Sequence, residues 1–270
     1  MALPFTEILH GRVRKGAFQA DLFGDYVTPT DRTGSFRPPV HTARKVVTMS
    51  YPYTFARRTV VHRASFVIPY LLWLLVAGLV LLLTDRGDLH LALNGIRFPG
   101  SDNFFLWSTH LGDRRVAWFV GACLLLSRRF RWGFSVLAAT IGAGLLTELF
   151  KYQLLGPTPR PVAYFGDPGP LRLVEGFQNH LTHAMPSGHA AIAFALLTTV
   201  ALMVPSRIGQ TLCITLAVLI AASRVYLSEH FLEDVYAGSI LGVACALLAW
   251  ALIRPGFPTN AAPPTTDELH

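Results

Sequence analysis

The chain has 270 residues, of which 52% are apolar and 14% charged, with a mean hydropathy of +0.42. Soluble chains carry about 25% charged residues, and here the apolar residues are gathered in long blocks, so a water-soluble globule and a disordered chain are both excluded. The formal charge of +7 does not point to nucleic acid, because the basic residues flank apolar blocks and form no stripe interleaved with aromatics.

Residues 1–63 mix Pro, Gly and Thr with ten Lys/Arg and show no sustained periodicity. This predicts a flexible basic arm on the cytoplasmic side, able to touch a lipid surface. No apolar core or small-residue cleavage site follows its early charges, so it does not read as a signal peptide. Six apolar stretches follow, at about 64–84, 114–128, 132–150, 188–204, 208–226 and 235–253. Roughly 20 apolar residues cross about 30 Å of hydrocarbon, which predicts an all-α, polytopic membrane protein with a six-span helical bundle over 64–253. The second stretch is the shortest, with an uninterrupted apolar run over 116–127 only. Residues 254–270, rich in Pro and Thr, read as a disordered tail.

With the N-terminus inside and all six spans real, one side holds 15 Lys/Arg and the other 8. Positive residues favour the cytoplasmic side, so both ends of the chain are expected inside, with 85–113 and 151–187 outside. Residues 90–111, where Phe104, Phe105, Leu106 and Trp107 accompany Asp102 and His110, suit an interfacial segment or an ordinary loop. Gly238 and Gly242 form a small-xxx-small pair suited to close helix packing. Cys123, Cys213 and Cys245 all lie in apolar blocks without a pairing pattern and read as buried small hydrophobes.

Three polar clusters fall at span ends on the expected outer side. Lys151 closes the third span and is followed by Gly156-Pro157-Thr158-Pro159-Arg160-Pro161. Pro186-Ser187-Gly188-His189 opens the fourth span. Ser223-Arg224, then His230, then Asp234 run from the fifth span into the sixth. Together they bring three permanent cations, two imidazoles, a carboxylate and a helix N-terminus into one region. Ser187 and Gly188 make either a plain capped helix or an anion site, since free N–H groups and the helix dipole favour negative charge. An ionisable His189 at the edge of a span tilts the choice toward function. His230 and Asp234, four apart, lie on one face if helical, as a structural pair or as a nucleophile oriented by its carboxylate. Arg160 and Arg224 offer forks matched to phosphoryl oxygens, and Lys151 a point charge. Arg172 reads as an interfacial anchor, and the i, i+4 pair Glu229 and Glu233 as solvated on another face.

These residues resemble the type 2 phosphatidic acid phosphatase family, whose signature is Lys-x6-Arg-Pro, Pro-Ser-Gly-His and Ser-Arg-x5-His-x3-Asp. The second and third parts occur here without deviation, each a chance event in roughly one chain in 600 of this length. The first departs: eight residues separate Lys151 from Arg160, and Gln153 stands where the family has its lysine. A longer loop is absorbed at little entropic cost, which keeps Lys151 in the expected site. The resemblance implies an all-helical core and metal-independent hydrolysis of a lipid phosphomonoester or pyrophosphate, with no cofactor. His230 would attack phosphorus to give a phosphohistidine. Asp234 would orient His230, and His189 would protonate the leaving oxygen and then activate water. Lys151, Arg160, Ser187, Gly188 and Arg224 would hold the phosphoryl oxygens. The expected partners are the bilayer and a lipid phosphate, with no nucleic acid; the expected location is a bacterial inner membrane with the site facing the periplasm or exterior. Segments 85–113 and 162–185 are expected to select the head group.

Other readings rank lower. The same site could transfer phosphate to a second lipid rather than to water. A transporter would place charge near the midplane on broken helices, and only Glu148 lies inside a span, where a pair with Lys151 or Arg224 accounts for it. His180, His183 and His189 share a segment but lack helical ligand spacing and an adjacent acidic partner. Membrane spans argue against a haloperoxidase that shares the signature.

Overall fold

The computed structural model describes residues 63–166 and 169–253. Apart from Arg63, the predicted arm and the 254–270 tail lie outside the described residues. Among the latter are nine α-helices: α1 Ala64–Leu83, α2 Arg86–Asn94, α3 Ser101–His110, α4 Arg114–Leu126, α5 Phe130–Leu149, α6 Pro161–Phe165, α7 Gly188–Met203, α8 Arg207–Tyr226 and α9 Leu232–Ile253. A π-helical turn, Phe150–Leu154, prolongs α5. No strand occurs among the described residues, and the chain is an all-helical integral membrane protein.

Four helices are long and apolar enough to span a membrane: Ala64–Leu83, Phe130–Leu154, Arg207–Tyr226 and Leu232–Ile253. The count of six is not reached among the described residues. Helix α7 has 16 residues and α4 has 13, which at 1.5 Å per residue rise about 24 Å and about 20 Å, short of the hydrocarbon thickness. Sequence apolarity alone could not separate a long span from a short helix shielded by others.

Helix α7 is such a shielded helix. Twelve of its 16 residues are buried, and α5, α8 and α9 all pack on it. Its run of alanines lets neighbouring backbones approach. A Cβ on Gly238 would stand 2.6 Å from the Ser187 carbonyl oxygen, and one on Gly242 would overlap the Ala191 carbonyl. The small-xxx-small pair is thus the seam joining α9 to α7. Phe194 projects from α7 toward α1, its ring centroid 5.9 Å from Tyr70 and 6.5 Å from Trp73. Helix α1 otherwise presents exposed Leu71, Leu72, Leu75, Leu79 and Leu82, as a lipid-facing helix should. At the opposite end of α7 from Ser187, Arg63 Nη1 donates to the carbonyls of Ala201, at 3.1 Å, and Val204, satisfying acceptors that a helix C-terminus leaves free.

Residues 85–113 are two helices rather than a loop, and the first is capped by its own sequence. Asp85 accepts from the Gly87 N–H at 2.8 Å at the start of α2, while α3 follows Gly100, whose φ of +82° suits glycine. Both helices pack on α8. Tyr226, at the end of α8, stacks on Phe105 with centroids 4.1 Å apart, and its hydroxyl donates to Asp102 at 2.5 Å and accepts from Arg97 at 2.7 Å. Asn94 and Arg97 also donate to the Arg172 carbonyl, so Arg172 is held by its backbone while its side chain is exposed. Of the cysteines, Cys213 and Cys245 are buried as expected, but Cys123 is exposed, because α4 is a peripheral helix with an outward apolar face.

Candidate active site

The three clusters converge where α5, α7, α8 and α9 meet. Ser187 caps α7, its Oγ accepting from the Ala190 N–H at 3.5 Å, and its own N–H donates 2.9 Å to the Asp234 carbonyl. That bond fastens the start of α7 to the start of α9. A Cβ on Gly188 would meet only Thr147 Cγ2, at 3.5 Å, an ordinary contact, so packing within the protein does not demand glycine there.

His230 is 1% exposed and stands just before α9, which begins at Leu232. The chain reaches it through a tight turn in which the N–H groups of Glu229 and His230 both bond the Arg224 carbonyl, at 3.0 and 3.2 Å. Ser228 in this turn has φ of +54°, a left-handed conformation strained for a non-glycine residue. It is tied there by its Oγ, 3.2 Å from His90 Nε2 and 3.0 Å from the Asn94 amide nitrogen.

Because His230 precedes α9, the i, i+4 helical ladder does not reach it. Nδ1 of His230 lies 3.5 Å from Asp234 Oδ2, facing it but beyond a firm hydrogen bond, while that oxygen accepts from the Phe231 N–H at 2.9 Å. Nδ1 of His230 and Oδ1 of Asp234 are both buried without another partner. The other ring nitrogen, Nε2, faces Arg160, 3.5 Å from Nη1. Burial holds the His230 ring well below the ordinary histidine range. The charges of Arg160, Arg224, Lys151 and His189 push the same way, so the ring is neutral near pH 7 and keeps one unprotonated nitrogen.

Arg160 is carried by the segment between the π turn and α6. Its backbone N–H donates 2.9 Å to the Leu181 carbonyl, and its Nε donates 2.8 Å to the Thr182 carbonyl. Thr158 clamps the same two stretches, its carbonyl accepting from Ala184 N–H at 3.2 Å and its Oγ1 from Met185 N–H at 3.1 Å. Arg86 ties the first of these stretches to the start of α9: its Nη2 donates 3.3 Å to the Pro159 carbonyl, while Nη1 lies 3.2 Å from Glu233 and the guanidinium 3.7 Å from the Phe231 ring centroid. Burial pulls Arg160 below the ordinary guanidinium range, against an opposing pull from Glu229.

The altered first motif begins on the π turn. Lys151 is half-buried and Gln153 is exposed, and Lys151 is among the cations acting on His230. Lys151 thus stands on a π turn, a form frequent at functional sites. Glu148 pairs with Arg114 at 3.5 Å, not with Lys151 or Arg224.

The largest departure from expectation is Glu229, read as solvated on the assumption of a helix through 229–233. It is fully buried. Its carboxylate accepts from Arg160 Nη1, from Arg224 Nη2 at 3.2 Å and from the His180 N–H at 3.0 Å. Arg224 Nη1 also donates 2.6 Å to Thr109 Oγ1 on α3. Thr109, Glu229, His90 and Ser228 escaped sequence reasoning; only Glu229 left a signal, an acidic residue directly beside the motif histidine. His180 therefore meets Glu229, while His183 packs on Tyr152 with centroids 4.5 Å apart. Among the described residues, no three or more His, Cys, Asp or Glu gather as metal ligands.

Residues 132–257 match the PAP2 superfamily, a stretch that contains all three motifs, and the resemblance drawn from those motifs holds. Glucose-6-phosphatase 3 of Mus musculus is 32% identical over 183 residues, covering 60% of this chain and 50% of that protein. Its counterpart in Rattus norvegicus is 28% identical over 183 residues, with the same shares. The chain thus spans about half the length of the curated relatives it matches. Among solved structures, LpxE of Aquifex aeolicus superposes with a TM-score of 0.54 at 24% identity, over 61% of this chain and 93% of that one. A PAP2-type phosphatidylglycerolphosphate phosphatase from Bacillus subtilis superposes with a TM-score of 0.52 at 22% identity, over 72% and 98%. These two show the fold alone, which this chain shares with both proteins.

Proposed function

We propose that the protein is a phosphatase that hydrolyses a lipid phosphomonoester or pyrophosphate without a metal, through a phosphohistidine on His230. One observation carries the reading: a buried, neutral His230 ring lies between Asp234 on its Nδ1 side and Arg160 on its Nε2 side. In the first step Nε2 attacks phosphorus and the bond from phosphorus to the leaving oxygen breaks. Burial and the charges of Arg224, Lys151 and Arg160 hold the His189 ring down at about 3, so it takes up a proton only once the phosphate dianion offsets those cations. It then gives that proton to the leaving oxygen, and Asp234 orients the His230 ring through Nδ1. In the second step His189 takes a proton from water, the water oxygen attacks phosphorus, and the P–N bond breaks. Inorganic phosphate leaves and His230 is restored. Lys151, Arg160 and Arg224, with the Ser187–Gly188 end of α7, hold the equatorial oxygens, where charge spreads in the transition state.

A lipid substrate is supported by an apolar cavity of about 340 Å³ beside the site, lined by Trp73, Leu93, Phe105, Val225, Leu232 and Val235 among others. Val225 and Val235 directly follow Arg224 and Asp234, so a bound chain and a bound phosphate would share the same two helix ends. If the short helices α4 and α7 also cross, the surplus of Lys/Arg on the opposite side, 15 against 8, supports a site facing out of the cytoplasm, in a bacterial cell membrane. Residues 85–113, which touch Arg224 through Thr109, and 162–185, which bond Arg160, are assigned to head-group selection.

The test is inorganic phosphate release by the purified protein in detergent with EDTA, across lipid monophosphates and pyrophosphates, with His230→Ala alongside. Release that survives EDTA and disappears in the variant is expected. Release by His230→Ala at the unmodified rate would overturn the assignment.

A further inference from the structure

Arg160 and Arg224 lie 64 positions apart in the sequence and arrive from different elements, yet both guanidinium groups end on the same carboxylate. Two buried like charges repel, and burial weakens each further unless an anion lies between them. Glu229 is that anion, with no exposed side-chain surface. Its own geometry is fixed from the far side by the His180 N–H, 3.0 Å from Oε1. The backbone adds to the restraint, since the Glu229 carbonyl accepts from Arg160 Nη1 at 3.2 Å and the Glu229 N–H donates to the Arg224 carbonyl at 3.0 Å. The nitrogen that Glu229 grips on Arg160, Nη1, is the one 3.5 Å from His230 Nε2. Lys151 has no ion pair among the described residues.

Resting on the hydrolase reading above, we propose that Glu229 is a positioning residue that holds Arg160 and Arg224 in register beside His230, and that its negative charge limits how tightly the site grips phosphate. Three cations converging on a dianion would bind the product strongly. A fixed carboxylate among them lowers that attraction for reactant and product alike, while keeping the two forks aimed where charge develops in the transition state. This differs from simple neutralisation of buried charge, which would affect folding and nothing else.

The experiment compares the full-length protein with Glu229→Gln, nearly isosteric but uncharged, and Glu229→Asp, charged but shorter. The readouts are kcat per folded molecule on the best lipid phosphate and, separately, the Kd of inorganic phosphate by calorimetry. For Glu229→Gln, kcat is expected to fall about 10–100-fold, as for misplaced catalytic groups, while phosphate binds at least about threefold more tightly because a nearby negative charge is gone. For Glu229→Asp, kcat falls and the phosphate Kd stays at its original value. If Glu229→Gln does not fold, the Asp variant decides alone. A kcat within about twofold of the unmodified protein in the folded variant, or phosphate affinity that falls together with kcat, would overturn the proposal. Should no lipid release phosphate from the unmodified protein, the hydrolase reading fails, and the phosphate Kd values still decide the role of Glu229: tighter binding to Glu229→Gln supports it and unchanged or weaker binding overturns it.

Discussion

The two walls of the site are built on different terms. One is the seam of α7 and α9, where Gly238 and Gly242 bring backbones together with no room for a methyl group and the Ser187 N–H bonds the Asp234 carbonyl. The other runs from the π turn through Arg160 to the 181–185 stretch and is laced by single hydrogen bonds from Thr158 and Arg160 to backbone groups. The seam is rigid because its contacts are steric and continuous. The lacing tolerates length changes because each bond is local and the chain between them is partly exposed. A site can therefore keep its chemistry on the first kind of wall and let the second drift in spacing.

The comparison breaks most visibly at His230, which the seam presents. Replacing it with Ala should cost at least about 10³-fold in kcat by removing the nucleophile, measured as phosphate release; a smaller loss would move the chemistry off this wall. Gly238→Val should strain the seam by about 1–3 kcal/mol through overpacking, seen as a lower thermal midpoint in detergent, and an unshifted midpoint would mean that α7 and α9 can separate at no cost. On the laced wall, Lys151→Ala should lower kcat/KM about 10–100-fold by removing one cation from the transition state. Gln153→Ala, at the family's usual lysine position, should leave it within about twofold. The reverse result would reassign the lysine role.

The mildest effect concerns pH. Burial, aided by Arg86, holds His90 down at about 4, below the value near 6.5 of an unfolded chain. A histidine with a depressed native pKa stabilises the fold above its unfolded pKa, and that contribution is lost as pH falls toward about 4. Between pH 7 and pH 6 the loss from His90 is below about 1 kcal/mol. The midpoint of thermal unfolding should decline over this range and on down to pH 4, less steeply in His90→Gln, whose amide can still bond Ser228. Equal slopes would place the acid sensitivity elsewhere.

The two walls also differ in how far the sequence discloses them. Pro186-Ser187-Gly188-His189 and the pattern from Ser223 to Asp234 were legible because the residues ride on helix ends or one tight turn, where spacing is set by backbone geometry. The first motif was only half legible, because its spacing departs from the family pattern and the π turn that bears Lys151 leaves no compositional mark. Glu229 was misread because periodicity assumed a helix that begins three residues later, at Leu232. Ser228 in a left-handed turn gave no warning, since neither glycine nor asparagine stands there. The bundle itself was visible as apolar blocks, but a block does not disclose whether its helix meets lipid or other helices. Helix α7, the most apolar in its surroundings, proved too short to count as a span.

That shortness has a geometric corollary. Arg63, immediately before α1, grips the last carbonyls of α7, so the two helices are level at that end. Helix α1 has 20 residues and α7 has 16, which leaves the Ser187 end of α7 about 6 Å below the far end of α1, roughly one helical turn. The Ser187 end of α7 is thus recessed by about one turn relative to the end of the lipid-facing helix α1. For the proposed hydrolase, a phosphate that terminates its molecule suits such a recess.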